Sequence, residues 1–583
     1  MRNLIRSFMI IGGLTTAVLL SVGTFSVAKD ESLVDLKLPR VPAVLSVVPD
    51  TTLAVQVVDN PARFSSRVST IADRFGNPGF DPLAMIMPMF EGIDEKGSVA
   101  VAWFMEEGKP APVSVFFLPV TNFEAFRERL GGEAKGDGVW IVQVAIRTFL
   151  ATQKDGYAIL VPAENEKVLK NVMASQKSLF DEVSARSFWK ANQDLGAIVT
   201  PQGIKTFSAM AVGSLDQMKL LLAAGNDPQA KAAAGAMEMY KQMFARMENE
   251  VSYLAVGAQL DDKGSMRLNA RVQFAKDGSL AKIGETEVPE RHLLTGLPHE
   301  DFVFASGATF SKTFIEWMLD ASVKMMKSMP ELYGDLTDEQ VKQMQDSWKK
   351  MADWDSMAMR FAAPEAGELL LSGVSGVMRV GDASKFLDAY VVAMEQFTEI
   401  IGDADNPAVP KMNVEKVQIG ALAAVKVVTK MNVPPGPAGQ MIEKFYGPNG
   451  EITAYLAAAD DKTVVLGYAS EDALKRAVES AVKPGLSADR QIRKTSGMLM
   501  DEPHMVGYAS ARGMIQLASY FMTLVPGGIA GVDLPPFPDV PPIGTAVKLR
   551  GSHLEAETVV PDEFLSALAE YIELVKQQQA ERF

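Results

Sequence analysis

One arrangement recurs in order along this chain: an apolar run of strand length, a short polar turn, then a helix carrying an aromatic or large apolar stripe. Pro49-Asp50-Thr51-Thr52 leads into the run 53–58, and after Asn60-Pro61 the residues Phe64, Val68, Ile71, Ala72 and Phe75 recur at helical spacing. Much later, Pro298-His299-Glu300-Asp301 leads into 302–305, followed by Phe310, Phe314, Trp317, Met318 and Ala321. A second pair sets 113–118 and Phe123, Phe126 and Leu130 against 376–380 and Phe386, Ala389, Tyr390 and Met394. Between the first of these runs and its helix, Thr121 and Glu124 have the spacing of a capping box, which satisfies free backbone donors at a helix start.

Two further pairs keep the order. The run 157–161 with Val168, Leu169 and Val172 answers to 464–468 with Leu474, Ala477 and Val478. The run 196–200 with Ile204 and Phe207 answers to 505–508 with Met514, Leu517 and Phe521. Strict alternation follows in each half, through Leu268, Ala270, Val272 and Phe274 and through Leu554, Ala556, Thr558 and Val560, as expected for strands packed on one face. Four correspondences in one order predict a duplicated chain. The fold class expected is α+β, with two related tandem domains, each a mainly antiparallel or mixed sheet covered by helices. Their bounds are read as 41–287 and 289–583, joined across 285–298. At 583 residues the chain exceeds one typical core, which agrees with two domains. Segments 398–450 and 526–542, rich in proline and glycine, are expected to be surface-loop insertions of the second half.

The N-terminus predicts export. Arg2 and Arg6 precede the apolar stretch 8–22, and Ser26-Val27-Ala28 offers small residues where a signal peptidase reads. Residues 1–28 are therefore read as a signal peptide, with an uncleaved anchor as the alternative, and the location as periplasm, cell envelope or secreted. No second stretch reaches spanning length free of charge or proline, so no integral membrane segment is expected after cleavage. The net charge of −15, with no basic stripe, argues against nucleic acid as a partner. The complete lack of cysteine excludes disulfides, thiolate metal sites and thiol nucleophiles.

Sequence motifs for chemistry are missing. The four histidines (His292, His299, His504 and His553) form no helix-borne zinc pattern. His553, Glu555 and Glu557 share one strand face and are the best metal candidate, but Arg267, Asn269 and Arg271 at the matching positions favour a solvated face. Gly373-Val374-Ser375-Gly376-Val377 lacks the glycine register of a nucleophile elbow. No phosphate loop or dinucleotide fingerprint occurs, and no cofactor, metal or catalytic residue is expected. What stands out is 32 methionines, some gathered in predicted helices after residue 324. Methionine adapts to varied apolar partners, and it also fills cores. Met325, Met329, Met344, Trp348 and Met351 are therefore candidate contacts for an apolar ligand or partner. Phe521, Leu534 and Phe537, in the tract 521–542, are a second group, either an exposed interaction surface or a cover.

In layout the chain resembles a family of exported bacterial proteins of unknown function. The features that carry the likeness are the early Pro49-Asp50 before a strand, the repeated strand–turn–helix units, and an ending of strand 557–560, Pro561 and an amphipathic helix 564–574. That resemblance implies an envelope or secreted location and brings no activity with it. The expectation is an exported, non-enzymatic envelope protein with a binding or structural role. A carrier of lipids or other apolar ligands, and a hydrolase with an unrecognised carboxylate site, are the alternatives.

Overall fold

The computed structural model describes residues 41–582 apart from 87–90, 190–192, 224–236, 238–239, 242, 277, 279–291, 328–332, 403–410, 432, 434–435, 525–533 and 551. The expected signal segment lies outside the described residues. The fold is α+β, and its strands pair antiparallel. No described helix is long and apolar enough to cross a membrane. The chain divides into two compact units, Met1–Leu221 with Tyr240–Lys282 and Arg550–Glu557, and Leu222–Met239 with Ile283–Leu549 and Thr558–Phe583.

The first unit holds β1 (Ala54–Val58), β2 (Val99–Phe104), β3 (Val113–Pro119), β4 (Glu133–Gly136), β5 (Val139–Val144), β6 (Arg147–Lys154), β7 (Tyr157–Pro162), β8 (Leu195–Val199), β9 (Val251–Leu260) and β10 (Met266–Phe274). Their order across the sheet is β4-β5-β6-β7-β3-β2-β1-β8-β9-β10. Residues 550–557 complete this unit: Ser552 accepts the Phe274 N–H at 2.7 Å, and Arg267 pairs with Glu557.

The second unit holds β11 (Phe304–Thr309), β12 (Trp354–Phe361), β13 (Val374–Val380), β14 (Lys411–Ile419), β15 (Leu422–Lys430), β16 (Glu451–Asp460), β17 (Thr463–Tyr468), β18 (Met505–Ala509) and β19 (Ile543–Arg550). Their order is β14-β15-β16-β17-β13-β12-β11-β18-β19. Strand for strand, this is the order of the first nine in the other unit.

Backbone bonds repeat as well. The Leu179 N–H reaches the Val48 carbonyl at 2.9 Å, and the Leu486 N–H reaches Leu297 at 3.1 Å. Thr200 bonds to Leu53 and Ser510 to Val303, both at 3.0 Å. Each of those hydroxyl residues precedes a helix whose third residue is glycine. A Cβ on Gly203 would collide with the Leu53 carbonyl, and one on Gly513 with that of Phe302. Only glycine lets these helices lie so close to the strand.

Both faces of each sheet are covered where β7 and β17 run. Val168, Leu169 and Val172 of helix Glu166–Ala174 pack with Ile159 and Val161, while Phe126 of helix Phe123–Arg129 packs with Ala158 and Leu160 on the other face. In the second unit, Leu474 and Ala477 lie with Val465, and Phe386, Leu387 and Val391 lie with Val464. A strand covered on both sides needs no polar alternation, hence the unbroken run Tyr-Ala-Ile-Leu-Val in β7.

Two local readings change. Helix Phe123–Arg129 is capped by Asn122, whose side chain accepts the Ala125 N–H at 3.1 Å, and not by Thr121, which bonds to the Gly92 carbonyl. Asn122 is the residue next to the helix, and from there its amide oxygen reaches the free donor directly. Segment 398–450 is not a loop: it includes the end of helix Ala383–Gly402, the hairpin β14–β15, and helix Pro437–Tyr446. The hairpin takes the place of β4–β5, and the helix-bearing stretch between β15 and β16 is additional.

Candidate functional site

The methionine-bearing helices are filled rather than hollow around Met344. That residue is 1% exposed on helix Asp338–Lys350 and packs with Val323, Met326, Leu336, Val341 and Ile401. Trp348 lies beside this cluster with its ring 6.0 Å from Phe397, and Met351 packs half-buried against the cluster containing Val380 and Phe386. Met329 lies outside the described residues, and Met325 is placed only by its backbone on helix Lys312–Lys327. Phe537 is 3% exposed and packs with Ala567 and Tyr571 of the C-terminal helix Asp562–Arg582. Met344 and Phe537 are thus buried among apolar side chains. Phe521 stays exposed, with its ring edge-on to Phe445 at 5.7 Å, and Leu534 is half-buried.

The strand face with His553, Glu555 and Glu557 is also different from the expected solvated one. Glu557 is 5% exposed and ion-paired with Arg267, and Glu555 lies 3.8 Å from Arg271 and 3.4 Å from His553. Arginines answer these carboxylates, and no group of metal-ligating side chains occurs among the described residues. Ser375 lies in β13 with a buried hydroxyl.

Two clefts open in the second unit. The smaller, of about 170 Å³, lies between the loop His299–Asp301, the start of helix Ala511–Leu524 and the stretch 538–542. Its charges are answered within it. Asp301 pairs with Arg512 at 3.2 Å and accepts from Gln516 at 2.9 Å, His299 lies 3.5 Å from Asp489, and Gln491 donates to Asp539.

The larger cleft, of about 630 Å³, is of ligand size. Five separate segments line it. His292 comes from the turn before Leu294, Arg379 from β13, Asp460 from the end of β16, Lys483 from beyond helix Glu471–Ala481, and Arg493 from helix Arg490–Ser496. Asp460 is already engaged, accepting the Lys462 N–H at 2.8 Å and the Thr463 hydroxyl at 2.9 Å. The side chains of Arg379, Lys483 and Arg493 have no ion-pair partner within 4 Å among the described residues, and three cations face one carboxylate. The His292 Nδ1 accepts the Leu294 N–H at 3.3 Å, so its proton lies on Nε2, 3.5 Å from the Ser496 hydroxyl. Burial, and then the charge of Arg493, hold His292 below the ordinary imidazole value, so the ring is neutral beside the cations. The Ser496 hydroxyl is engaged with Tyr508 at 2.6 Å.

The first unit builds the same place differently. Tyr157 pairs with Pro119 and Lys154 there, as Thr463 pairs with Arg379 and Asp460 here. Proline thus stands where the second unit has Arg379, and lysine where it has Asp460. The Lys154 ammonium donates to the Val172 and Ser175 carbonyls at 3.4 and 3.1 Å, at the end of helix Glu166–Ala174. Sequence reading missed the cleft because it gathers single residues from five segments, none of which forms a local motif.

The class these observations define is an α+β protein of antiparallel sheets with a cation-lined cleft. No protein-family model, no curated protein and no solved structure matches the chain.

Proposed function

We propose that this is an exported, extracytoplasmic protein of the cell envelope with a non-enzymatic binding role, built from two diverged copies of one tandem α+β domain. The observation that carries the binding reading is the ligand-sized cleft of the second unit, lined by side chains from five segments that a shared strand order brings together. The duplication is supported by nine strands in matching order and by the repeated backbone bonds of Leu179 and Leu486. Export rests on the N-terminal pattern around Arg2, the apolar stretch and Ala28. Ser496 does not serve as an activated nucleophile in this reading: it lies beyond the usual 2.6–3.2 Å (roughly) of a working base and is engaged with Tyr508.

Native mass spectrometry of the chain purified from the envelope fraction of its own cells tests the reading. A retained small molecule, with the protein lacking residues 1–28, is the expected result. Protein confined to the cytoplasm, or ligand-free across a broad metabolite panel, overturns it.

A further inference from the structure

We propose that the larger cleft of the second unit is a binding site for a small organic molecule carrying a phosphate-type oxyanion. This deepens the binding reading above and rests on it. Arg379, Lys483 and Arg493 line one cavity, and among the described residues none of them has an ion-pair partner within 4 Å; Arg379 is attracted to Asp460 at longer range. Two guanidinium groups and an ammonium match a multiply charged oxyanion in charge, and the guanidinium forks match its geometry. The protein as a whole carries −15, so a patch of this sign stands out from the background field.

Nothing in the shared frame demands these cations. The corresponding position of the first unit has Pro119 for Arg379, and its Lys154 is turned onto backbone carbonyls. The second unit has placed a carboxylate, Asp460, at that lysine position, and its two oxygens are held by Lys462 and Thr463. Its charge offsets part of the cleft and leaves the cationic side chains in excess. The neutral His292, whose Nε2–H lies 3.5 Å from the Ser496 hydroxyl, adds an uncharged donor at the rim, while the Thr295 and Ser487 hydroxyls donate to the His292 and Pro484 carbonyls. At about 630 Å³ the cavity exceeds what an inorganic oxyanion fills, which leaves room for an organic substituent on the wall formed by Ala481, Val482 and Pro484.

Isothermal titration of the full mature chain with glycerol 3-phosphate, inorganic phosphate and glycerol provides the test. Glycerol 3-phosphate is expected to bind tightest, inorganic phosphate more weakly, and glycerol not at all. Arg379→Gln and Lys483→Gln should each weaken both phosphate probes by about tenfold, whereas Arg379→Lys should retain part of the affinity. Circular dichroism melts identical to the parent confirm that the variants fold; should Arg379→Gln fail to fold, Lys483→Gln carries the test. Absence of binding, equal binding of glycerol, or affinities unchanged by both glutamine variants overturns the inference. A neutral or apolar molecule retained in native mass spectra together with those results would overturn the oxyanion alone and leave the binding role standing.

Discussion

The two units satisfy one backbone donor in two ways. In the first, the Leu260 N–H at the end of β9 donates to Asp194 at 2.9 Å; in the second, the Leu549 N–H of β19 donates to the His504 ring at 3.3 Å. Both residues sit directly before the matching strands β8 and β18. The frame therefore asks for an acceptor at this point, not for a charge. Where the acceptor is a carboxylate with no exposed surface, the neighbouring helix must supply cations. Arg63 and Arg67 of helix Pro61–Arg74 both reach Asp194 at 2.9 Å, and they continue to Asp59 and Asp262. Where the acceptor is an imidazole, the helix after β11 is free to be aromatic, and Phe310, Phe314 and Trp317 stack at 5.1 and 5.7 Å.

Hydrogen exchange read by mass spectrometry, which reports each unit separately, can break this comparison. Asp194→Ala leaves a buried N–H unanswered and takes the buried carboxylate from Arg63 and Arg67, which keep Asp59 and Asp262, and should destabilise the first unit by about 3 kcal/mol, the low end for a broken buried pair. His504→Ala removes a neutral acceptor and should lower the second by about 1–3 kcal/mol. Equal losses would mean that the charge network adds nothing to the acceptor role. Gly203→Ala and Gly513→Ala sharpen the shared side of the comparison. Each forces a helix off a strand carbonyl at a cost of about 1–3 kcal/mol, and the two losses should agree; a silent variant in one unit would show that the close approach is not common to both.

The smallest effect expected is on acid stability. Lys135 and Lys170 hold exposed Glu166 down from 4.5 to about 2. A carboxylate lowered in the folded state stabilises at pH values above its ordinary range, and that contribution is lost as the pH falls from about 4.5 to about 2. Glu166→Gln should therefore flatten the acid limb of the first unit over that window, more visibly at low salt, and leave the second unit's limb unchanged.

Much of this frame is legible in the sequence. The runs read at 53–58, 113–118, 157–161 and 464–468 fall on β1, β3, β7 and β17, since core strands declare themselves by apolar continuity or alternation. Strand β14 escaped notice because it is half-exposed, with Lys411, Glu415 and Lys416 interrupting Met412, Val414 and Val417, and because the proline-rich stretch after it suggested a loop. Methionine content pointed to the helices but not to their role, because a thioether buried like that of Met344 and one exposed to a ligand have the same local signature. The cation-lined cleft was beyond reach for a different reason. Arg379 and Lys483 are more than a hundred residues apart in sequence, and only strand order brings them to one cavity.

The allotment of Arg550–Glu557 to the first unit bears on how the polypeptide is made. The first unit cannot finish its sheet edge when its own stretch has been synthesised: Phe274 and Arg267 wait for Ser552 and Glu557, the latter 290 residues beyond Arg267. Closing so long a loop is slow. A nascent chain has an unpaired β10 until that later stretch emerges, which leaves the edge in need of protection meanwhile.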